Sequence, residues 1–228
     1  MPSSHPGHGP CSLPDVLLER FSCEKLARGY LVSAPHSAQD RILYLREGRI
    51  RVYVASEDKE LTLAYLAPGE LFSTHTRAYL RTESACQLLS MPTQRFAQTL
   101  ANQPGMLALV MPALGRILEN SIAIIEDLAF RDVAGRLARF LLVAARQHAQ
   151  GVAGPLAQLP LELSVGEIAR LLATTRQTVS SLLNRMQREG IVQRHGRYLV
   201  LLRPDVLQRW QSGDSRADGT NRTGRSVV

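Results

Sequence analysis

Apolar residues change their spacing several times along this chain, and each change marks a boundary between elements. From Tyr30 to about Met91 the spacing is short and two-fold. Ile42-Leu43-Tyr44-Leu45 precedes a charged turn ending in Glu47-Gly48, and Arg49-Ile50-Arg51-Val52-Tyr53-Val54 then alternates charged with β-branched or aromatic residues. Alternation of this kind puts every second side chain on one sheet face, as a half-buried strand requires. Ser56 to Lys59 reads as a polar turn, Leu61 to Leu66 as the return strand, Pro68-Gly69 as another turn, and Gln87 to Met91 as a further strand. Many short strands with closely spaced turns predict a small β-sandwich or barrel. A helix is expected from Thr93 to Leu100.

Beyond it the period lengthens. Leu107, Val110, Leu114, Ile117, Ser121, Ile124 and Leu128 follow alternating steps of three and four, a coiled-coil seam interrupted only by Ser121. Met111, Leu118 and Ile125 widen the stripe, so that one helix can meet both a partner helix and its own domain. Pro112 is expected to kink or loosen the first turns. After Phe130-Arg131-Asp132 a second helical pattern places Val133, Leu137, Phe140, Leu141 and Ala144 on one face, and runs to Ala149. Gln150 to Leu159 reads as a Gly-, Ala- and Pro-rich loop, and Ser212 to Val228 as a polar, disordered tail.

Between these lies the strongest local signal. Ser164 with Glu167 three residues on is a capping box, and Ile168, Ala169, Leu171 and Leu172 supply the buried face of the helix it opens. Ala173-Thr174 forms a turn, Thr175 caps a second helix, and Val179, Leu182, Leu183 and Met186 face inward from it. Two short helices joined in this way describe a helix-turn-helix. Thr175 and the exposed Arg176, Gln177, Ser180 and Ser181 stand at the start of the second helix. Arg pairs with guanine, Gln with adenine, and Ser with either. Arg185 and Arg188 lie further along and suit phosphates. Glu189 to Val192 then leads to Arg194-His195-Gly196-Arg197-Tyr198, a hairpin with a basic turn that reads as a wing.

Charge sharpens this division. Residues 1–130 carry 12 Lys/Arg against 13 Asp/Glu, whereas residues 131–228 carry 15 against 7. The whole excess of the +7 chain therefore lies in its C-terminal part, where double-stranded DNA is the expected polyanion. Cys11, Cys23 and Cys86 fit neither a disulfide framework nor a zinc motif and are expected as reduced thiols. No run of apolar residues is long enough to span a membrane, and Met1 to Pro14 lacks the features of a secretion signal, so a cytoplasmic protein is expected.

From about Phe21 to Trp210 the chain resembles the CRP/FNR family of bacterial transcription regulators. Thr175-Arg176-Gln177-Thr178-Val179-Ser180 looks like that family's recognition-helix start, and Ile125-Glu126-Asp127-Leu128-Ala129-Phe130 resembles its hinge. The resemblance implies an α+β chain: an N-terminal β jelly-roll sensor, a long dimerisation helix and a C-terminal winged helix-turn-helix. The expected divisions are an arm over 1–14, the sensor over 15–103, the dimer helix over 104–130, the DNA-binding domain over 131–211 and the tail over 212–228. A homodimer would bind a palindromic promoter site, contact RNA polymerase and activate transcription. An effector would bias a two-state hinge near Phe130–Val133. No catalytic constellation is evident, and the chain is not expected to be an enzyme.

The effector follows from the same comparison. Cyclic-nucleotide members follow a Gly-Glu-Leu cassette with an Arg-Ser pair; here Gly69-Glu70-Leu71 leads into Phe72-Ser73-Thr74-His75, and Arg77 and Arg81 stand in no matching motif. Oxygen-sensing members use four cysteines, and this chain has three. Gly48 to Tyr53, Tyr65 to Phe72 and Leu114-Gly115-Arg116 are instead similar to a haem-containing, carbon-monoxide-sensing branch. That similarity implies haem b with His75 as an iron ligand and the amine of Pro2 as the second, displaced by carbon monoxide or nitric oxide. His5 and His8 lie in the same arm as competing donors. Val110, Met111, Leu114, Gly115 and Leu118 would line the haem edge. Ser73 stands where that branch has the cysteine that binds ferric iron, so oxidised iron here needs another donor. The alternative is a family member with a different small effector and no haem.

Overall fold

The computed structural model describes residues 13–35, 37, 40–57, 60–102, 105, 107–149, 158–160, 163–196 and 198–213. The chain divides into two compact units, Met1–Ile125 and Glu126–Val228.

The first unit opens with a short helix, α1 (Asp15–Leu18), followed by β1 (Ser22–Leu26), β2 (Leu31–Ser33), β3 (Arg41–Glu47), β4 (Ile50–Ala55), β5 (Glu60–Leu66), β6 (Leu71–Ser73), β7 (Tyr79–Thr82) and β8 (Cys86–Pro92). They form two antiparallel four-stranded sheets, ordered β1-β8-β3-β6 and β2-β7-β4-β5. The alternation read from the sequence sets the faces. Ile50 and Val52 join Leu43, Leu45, Leu66 and Leu80 in the core between the sheets. Arg51 and Tyr53 take the opposite face, where the Arg51 guanidinium lies 4.3 Å from the Tyr53 ring, donates to Thr62 Oγ1 at 2.8 Å and pairs with Glu60 at 2.7 Å.

A second core covers the outside of the first sheet. Tyr44, Leu71, Leu89 and Met91 pack there against Leu13, Leu17, Phe21 and Phe96, the last from α2 (Thr93–Asn102). Leu13 is fully enclosed, so the expected arm over 1–14 is already anchored in the sensor core at this residue.

Helix α3 (Leu107–Phe130) follows and continues through Pro112 without interruption. Proline lies in the second turn, where its missing N–H removes one hydrogen bond close to an end that is already unpaired. The second unit consists of α4 (Val133–Ala149), β9 (Gln158–Pro160), α5 (Val165–Leu171), α6 (Arg176–Arg188), β10 (Val192–His195), β11 (Tyr198–Leu201) and α7 (Pro204–Gln211). Its sheet is ordered β10-β11-β9, so Gln158 and Leu159, expected in a loop, are paired with the wing instead. Leu137, Leu141, Ile168, Met186, Leu199, Leu207 and Trp210 fill its core, while Phe140 and Ala144 are half-buried. Gly135 lets α4 approach α7: a Cβ there would stand 2.9 Å from the Trp210 carbonyl oxygen. Among the described residues no helix is long and apolar enough to cross a membrane, and Cys23 and Cys86 are free thiols.

Candidate sensor and DNA-reading sites

His75 lies on the connection between β6 and β7, and its side chain is 82% exposed. Its Nδ1 stands 3.2 Å from Asp40 Oδ2. Asp40 is itself fixed, since Thr93 at the start of α2 donates from Oγ1 to Asp40 Oδ1 at 2.8 Å and from its backbone N–H to the Asp40 carbonyl at 3.1 Å. A carboxylate only accepts, so the neutral tautomer that donates to Asp40 from Nδ1 would leave Nε2 as a lone-pair donor. Neighbouring backbone ties keep the turn in place. Thr74 and Arg41 exchange bonds, Thr74 N–H to the Arg41 carbonyl at 2.9 Å and Arg41 N–H to Thr74 Oγ1 at 2.8 Å. Ser73 Oγ accepts the His75 N–H at 3.2 Å, so Ser73 has a local structural task. Asp40 was not among the residues singled out in the sequence. It precedes His75 by 35 positions within a polar stretch, and no local pattern connects them. Pro2, His5 and His8 lie outside the described residues.

Glu70 is buried, and its Oε2 accepts the Ala67 N–H at 2.9 Å across the Pro68-Gly69 turn. Of the two candidate cations for an anionic effector, Arg77 is exposed. Arg81 follows the core residue Leu80 and lies on the outer face, 5.9 Å from the Tyr53 ring.

On α3 the apolar stripe has two sides. Val110 packs against the outer core of the sensor, Ile117 and Ile124 on the same side are half-buried, and Asn120 Nδ2 donates to the Leu63 carbonyl at 3.2 Å. Met111, Leu114, Leu118, Ile122, Ile125 and Leu128 are exposed, Leu118 at 62%. The exposed line is therefore rotated by about one residue from the expected seam: Leu114 and Leu128 belong to it, whereas Val110, Ile117 and Ile124 turn to the helix's own side. Ser121 is exposed and donates to the Ile117 carbonyl at 2.8 Å, which satisfies its hydroxyl within the helix. A Cβ added at Gly115 would meet nothing within 4 Å. The side chain of Leu107 lies outside what is described.

In the second unit the predicted capping box forms completely: Ser164 Oγ accepts the Glu167 N–H at 3.2 Å, and Glu167 Oε2 accepts the Ser164 N–H at 2.8 Å. The turn between α5 and α6 passes through Ala173 at φ 50°. Thr175 then caps α6, its Oγ1 accepting the Thr178 N–H at 3.1 Å. Arg176, Gln177 and Ser181 are exposed at the start of α6, and Ser180 is half-buried. Arg188 remains exposed. Arg185 differs: its Nε donates to Glu189 at 2.7 Å and its guanidinium lies 4.8 Å from the buried Trp210 ring, so it is held by its own unit. At the hinge, Asp127 Oδ1 accepts from Arg131 and from Arg139, both at 2.7 Å. Asp132 Oδ1 accepts the Gly135 N–H at 2.8 Å and so caps α4.

A β-roll followed by a winged helix-turn-helix is the build of a DNA-binding regulator with its own sensing domain. Residues 23–103 match the cyclic nucleotide-binding domain, and residues 135–210 the Crp-like helix-turn-helix domain. The chain belongs to the CRP/FNR family of transcription regulators, and it is similar to CooA within that family. The cAMP-activated global transcriptional regulator CRP of Pasteurella multocida is 27% identical over 189 residues, spanning 77% of this chain and 87% of that protein. A CooA double mutant from Carboxydothermus hydrogenoformans superimposes with a TM-score of 0.77 at 33% identity, covering 86% of this chain and 90% of that one. The imidazole-bound form of the CO-dependent transcription factor CooA from the same organism is 34% identical, with a TM-score of 0.50 and coverage of 87% and 91%.

Proposed function

We propose that this chain is a homodimeric, cytoplasmic transcription activator whose sensor unit holds haem b through His75 and responds to a diatomic gas. The observation that carries this reading is the Asp40–His75 pair, an exposed imidazole whose Nδ1 is engaged by an anchored carboxylate. Metal-binding histidines are commonly oriented in this way, with the second nitrogen left for the iron. A porphyrin contributes its own ring nitrogens, so the protein needs to supply only axial donors and an apolar wall. Nε2 of His75 would be the donor, and the wall would come from the exposed apolar residues Met111, Leu114 and Leu118 of α3, beside Gly115, where an added Cβ would meet nothing. When bound, the group would supply a ferrous iron able to take up carbon monoxide or nitric oxide. Pro2 is the second donor that the similarity to CooA suggests. The description of the C. hydrogenoformans neighbour as CO-dependent supports carbon monoxide.

The absorption spectrum of the purified protein, oxidised, reduced and with carbon monoxide, tests this reading. A Soret band that shifts with the gas and is altered in His75→Ala is expected. No Soret band after expression with ample haem would overturn it. The cyclic nucleotide-binding match and the cAMP-activated relative favour a second reading, a small effector without haem. Against it, Arg81 lies on the outer face of the roll. Saturable cAMP binding by a haem-free protein would support that second reading.

On the DNA side, α6 enters the major groove of a palindromic promoter site by its N-terminal end. Arg176 reads guanine, Gln177 adenine, and Thr175, Ser180 and Ser181 give shorter contacts. Arg188 neutralises phosphate, with Arg185 reaching it only by leaving Glu189. RNA polymerase is the further partner an activator needs. Arg176→Ala should lose about 1–3 kcal/mol of discrimination at one base pair. Competition among singly substituted sites measures this, and equal loss on every sequence would make Arg176 a phosphate contact instead.

A further inference from the structure

α3 ends at Phe130 and α4 begins at Val133, so Arg131 and Asp132 alone separate the two helices. The large apolar side chains of the last turn of α3 do little to hold this link, because Phe130 is 81% exposed and Leu128 43%. Polar contacts hold it instead. The Arg131 N–H donates to the Asp127 carbonyl at 3.2 Å, and the Arg131 carbonyl accepts from Arg136 Nη1 at 3.2 Å. The Asp132 carbonyl accepts the Arg136 N–H at 3.0 Å, and the Asp132 carboxylate caps the Gly135 N–H.

One carboxylate joins the two helices across the break. Asp127, in the last turn of α3, accepts on Oδ1 from Arg131 in the link and from Arg139 well inside α4, both at 2.7 Å. That distance is the short, strong end of the range for charge-assisted bonds. The three side chains are only 24%, 21% and 22% exposed, so water and salt screen them less than they screen a pair on the surface. α4 is in turn seated on α7, where Gly135 leaves no room for a Cβ beside the Trp210 carbonyl. The compact second unit accordingly begins at Glu126, which puts the last turn of α3 with the DNA-reading helices.

We propose that Asp127, Arg131 and Arg139 form an ionic clasp that makes the α3–α4 break rigid. The break reads in the sequence as a two-state hinge near Phe130–Val133, yet a bend there would carry Asp127 away from Arg139. A part-buried carboxylate would then lose one of its two charged partners, which is costly where water cannot fully replace it. The last turn of α3 therefore moves with α4 and α6 as one piece. Any reorientation of the DNA-reading helix is taken up in α3 before Asp127, and a tilt or rotation arriving there reaches α6 undiminished. This holds whatever effector drives the change.

Hydrogen exchange of the full chain, read by mass spectrometry over residues 128–136, tests the clasp at the amides of Arg131, Gly135 and Arg136. These amides should be protected in the parent protein. Exchange should speed up at least about fivefold in Asp127→Asn and in Arg139→Gln, and by much less in Arg139→Lys, which keeps the charge. Sodium chloride at about 1 M should speed exchange in the parent and change Asp127→Asn little, as a loss of attraction between charges requires. A single cooperative transition in Trp210 emission shows that each variant folds, so faster exchange belongs to the link. Saturation with random-sequence duplex DNA should leave the same amides at least as slow. Exchange over 128–136 at the rate of an unprotected chain would overturn the proposal, as would equal rates in the parent and both uncharged variants. Faster exchange on DNA would overturn it too, since the link would then open as the unit engages its target.

Discussion

Replacement of Gly48 by alanine separates backbone strain from steric exclusion at the turn between β3 and β4. Gly48 has φ +97°, and an added Cβ would lie 2.4 Å from the Ala85 carbonyl oxygen, 2.6 Å from Cys86 Sγ and 2.9 Å from Cys86 Cα. The strain of an L-residue at positive φ is about 1–2 kcal/mol. Two of the three obstructing atoms are backbone at the start of β8, which is paired with β1 on one side and β3 on the other, so the strand cannot simply step aside. Overpacking of this kind adds about 1–3 kcal/mol. Alanine also restricts the unfolded chain and returns about 0.4–1 kcal/mol, leaving a net loss of roughly 2–4 kcal/mol. Gly29 is the control, with φ +85° and nothing within 4 Å of an added Cβ. Gly29→Ala carries the strain without the clash, and the entropy contribution cancels between the two variants. Urea unfolding followed by tyrosine emission is a suitable assay, because Tyr30, Tyr44, Tyr53, Tyr65 and Tyr79 all lie in the sensor unit. The Gly48 variant should unfold with a loss about 1–3 kcal/mol greater than the Gly29 variant. Cys86→Ala in the Gly48→Ala background should recover little, since the carbonyl contact remains. Equal losses at Gly29 and Gly48 would refute the close approach.

Other substitutions test other elements. Ser164→Ala removes the hydroxyl half of the capping box and should cost the DNA-binding unit about 0.5–2 kcal/mol, read from the emission of Trp210 during unfolding. Asp127→Asn leaves Arg131 and Arg139 sharing a weaker acceptor, and a loss of about 1–3 kcal/mol is expected. A double-mutant cycle with Arg139→Gln should show non-additivity of at least about 0.5 kcal/mol, and strict additivity would argue against the shared carboxylate. Leu118→Glu places a charge on the exposed apolar line of α3 and should shift sedimentation from dimer to monomer while thermal unfolding of the sensor changes little. Ile117→Ala, on the half-buried side, should do the reverse.

The parts of this molecule that the sequence made plain are those set by near neighbours. Alternation at Ile50-Arg51-Val52-Tyr53 determined which face each side chain took, because the period of a strand leaves only two choices. Ser164 and Glu167 announced a helix start, and the two reciprocal bonds form within four residues. Arg185 was less legible. Its place on α6 suits a phosphate contact, but Glu189 and a tryptophan 25 positions further on hold it inward. The same holds for the sensor: His75 stands out by its position in the cassette, whereas Asp40, which gives the imidazole its orientation, belongs to a separate strand connection.

Helix α3 shows why a periodic pattern can predict an element and still leave its partner-facing line undecided. Apolar residues cover more than half of its circumference, so any line drawn along steps of three and four finds hydrophobic positions. What selects among those lines is not periodic. Val110 is committed to the sensor core, and Asn120 reaches the carbonyl of Leu63, a residue of the outer strand β5. One polar bond to that strand and one apolar anchor fix the rotation of the helix about its axis. Once those are spent on the sensor, Met111, Leu114, Leu118, Ile122, Ile125 and Leu128 are what remains exposed. Six large apolar side chains in a row are more than a solvated helix normally leaves uncovered. A second copy of the same helix would bury them by the same residues on both sides, as a two-fold interface requires. In the proposed haem-bound homodimer, the wall for the cofactor and the surface for a second chain would share Met111, Leu114 and Leu118. On that proposal, a change in what covers the wall would alter the packing of the second copy.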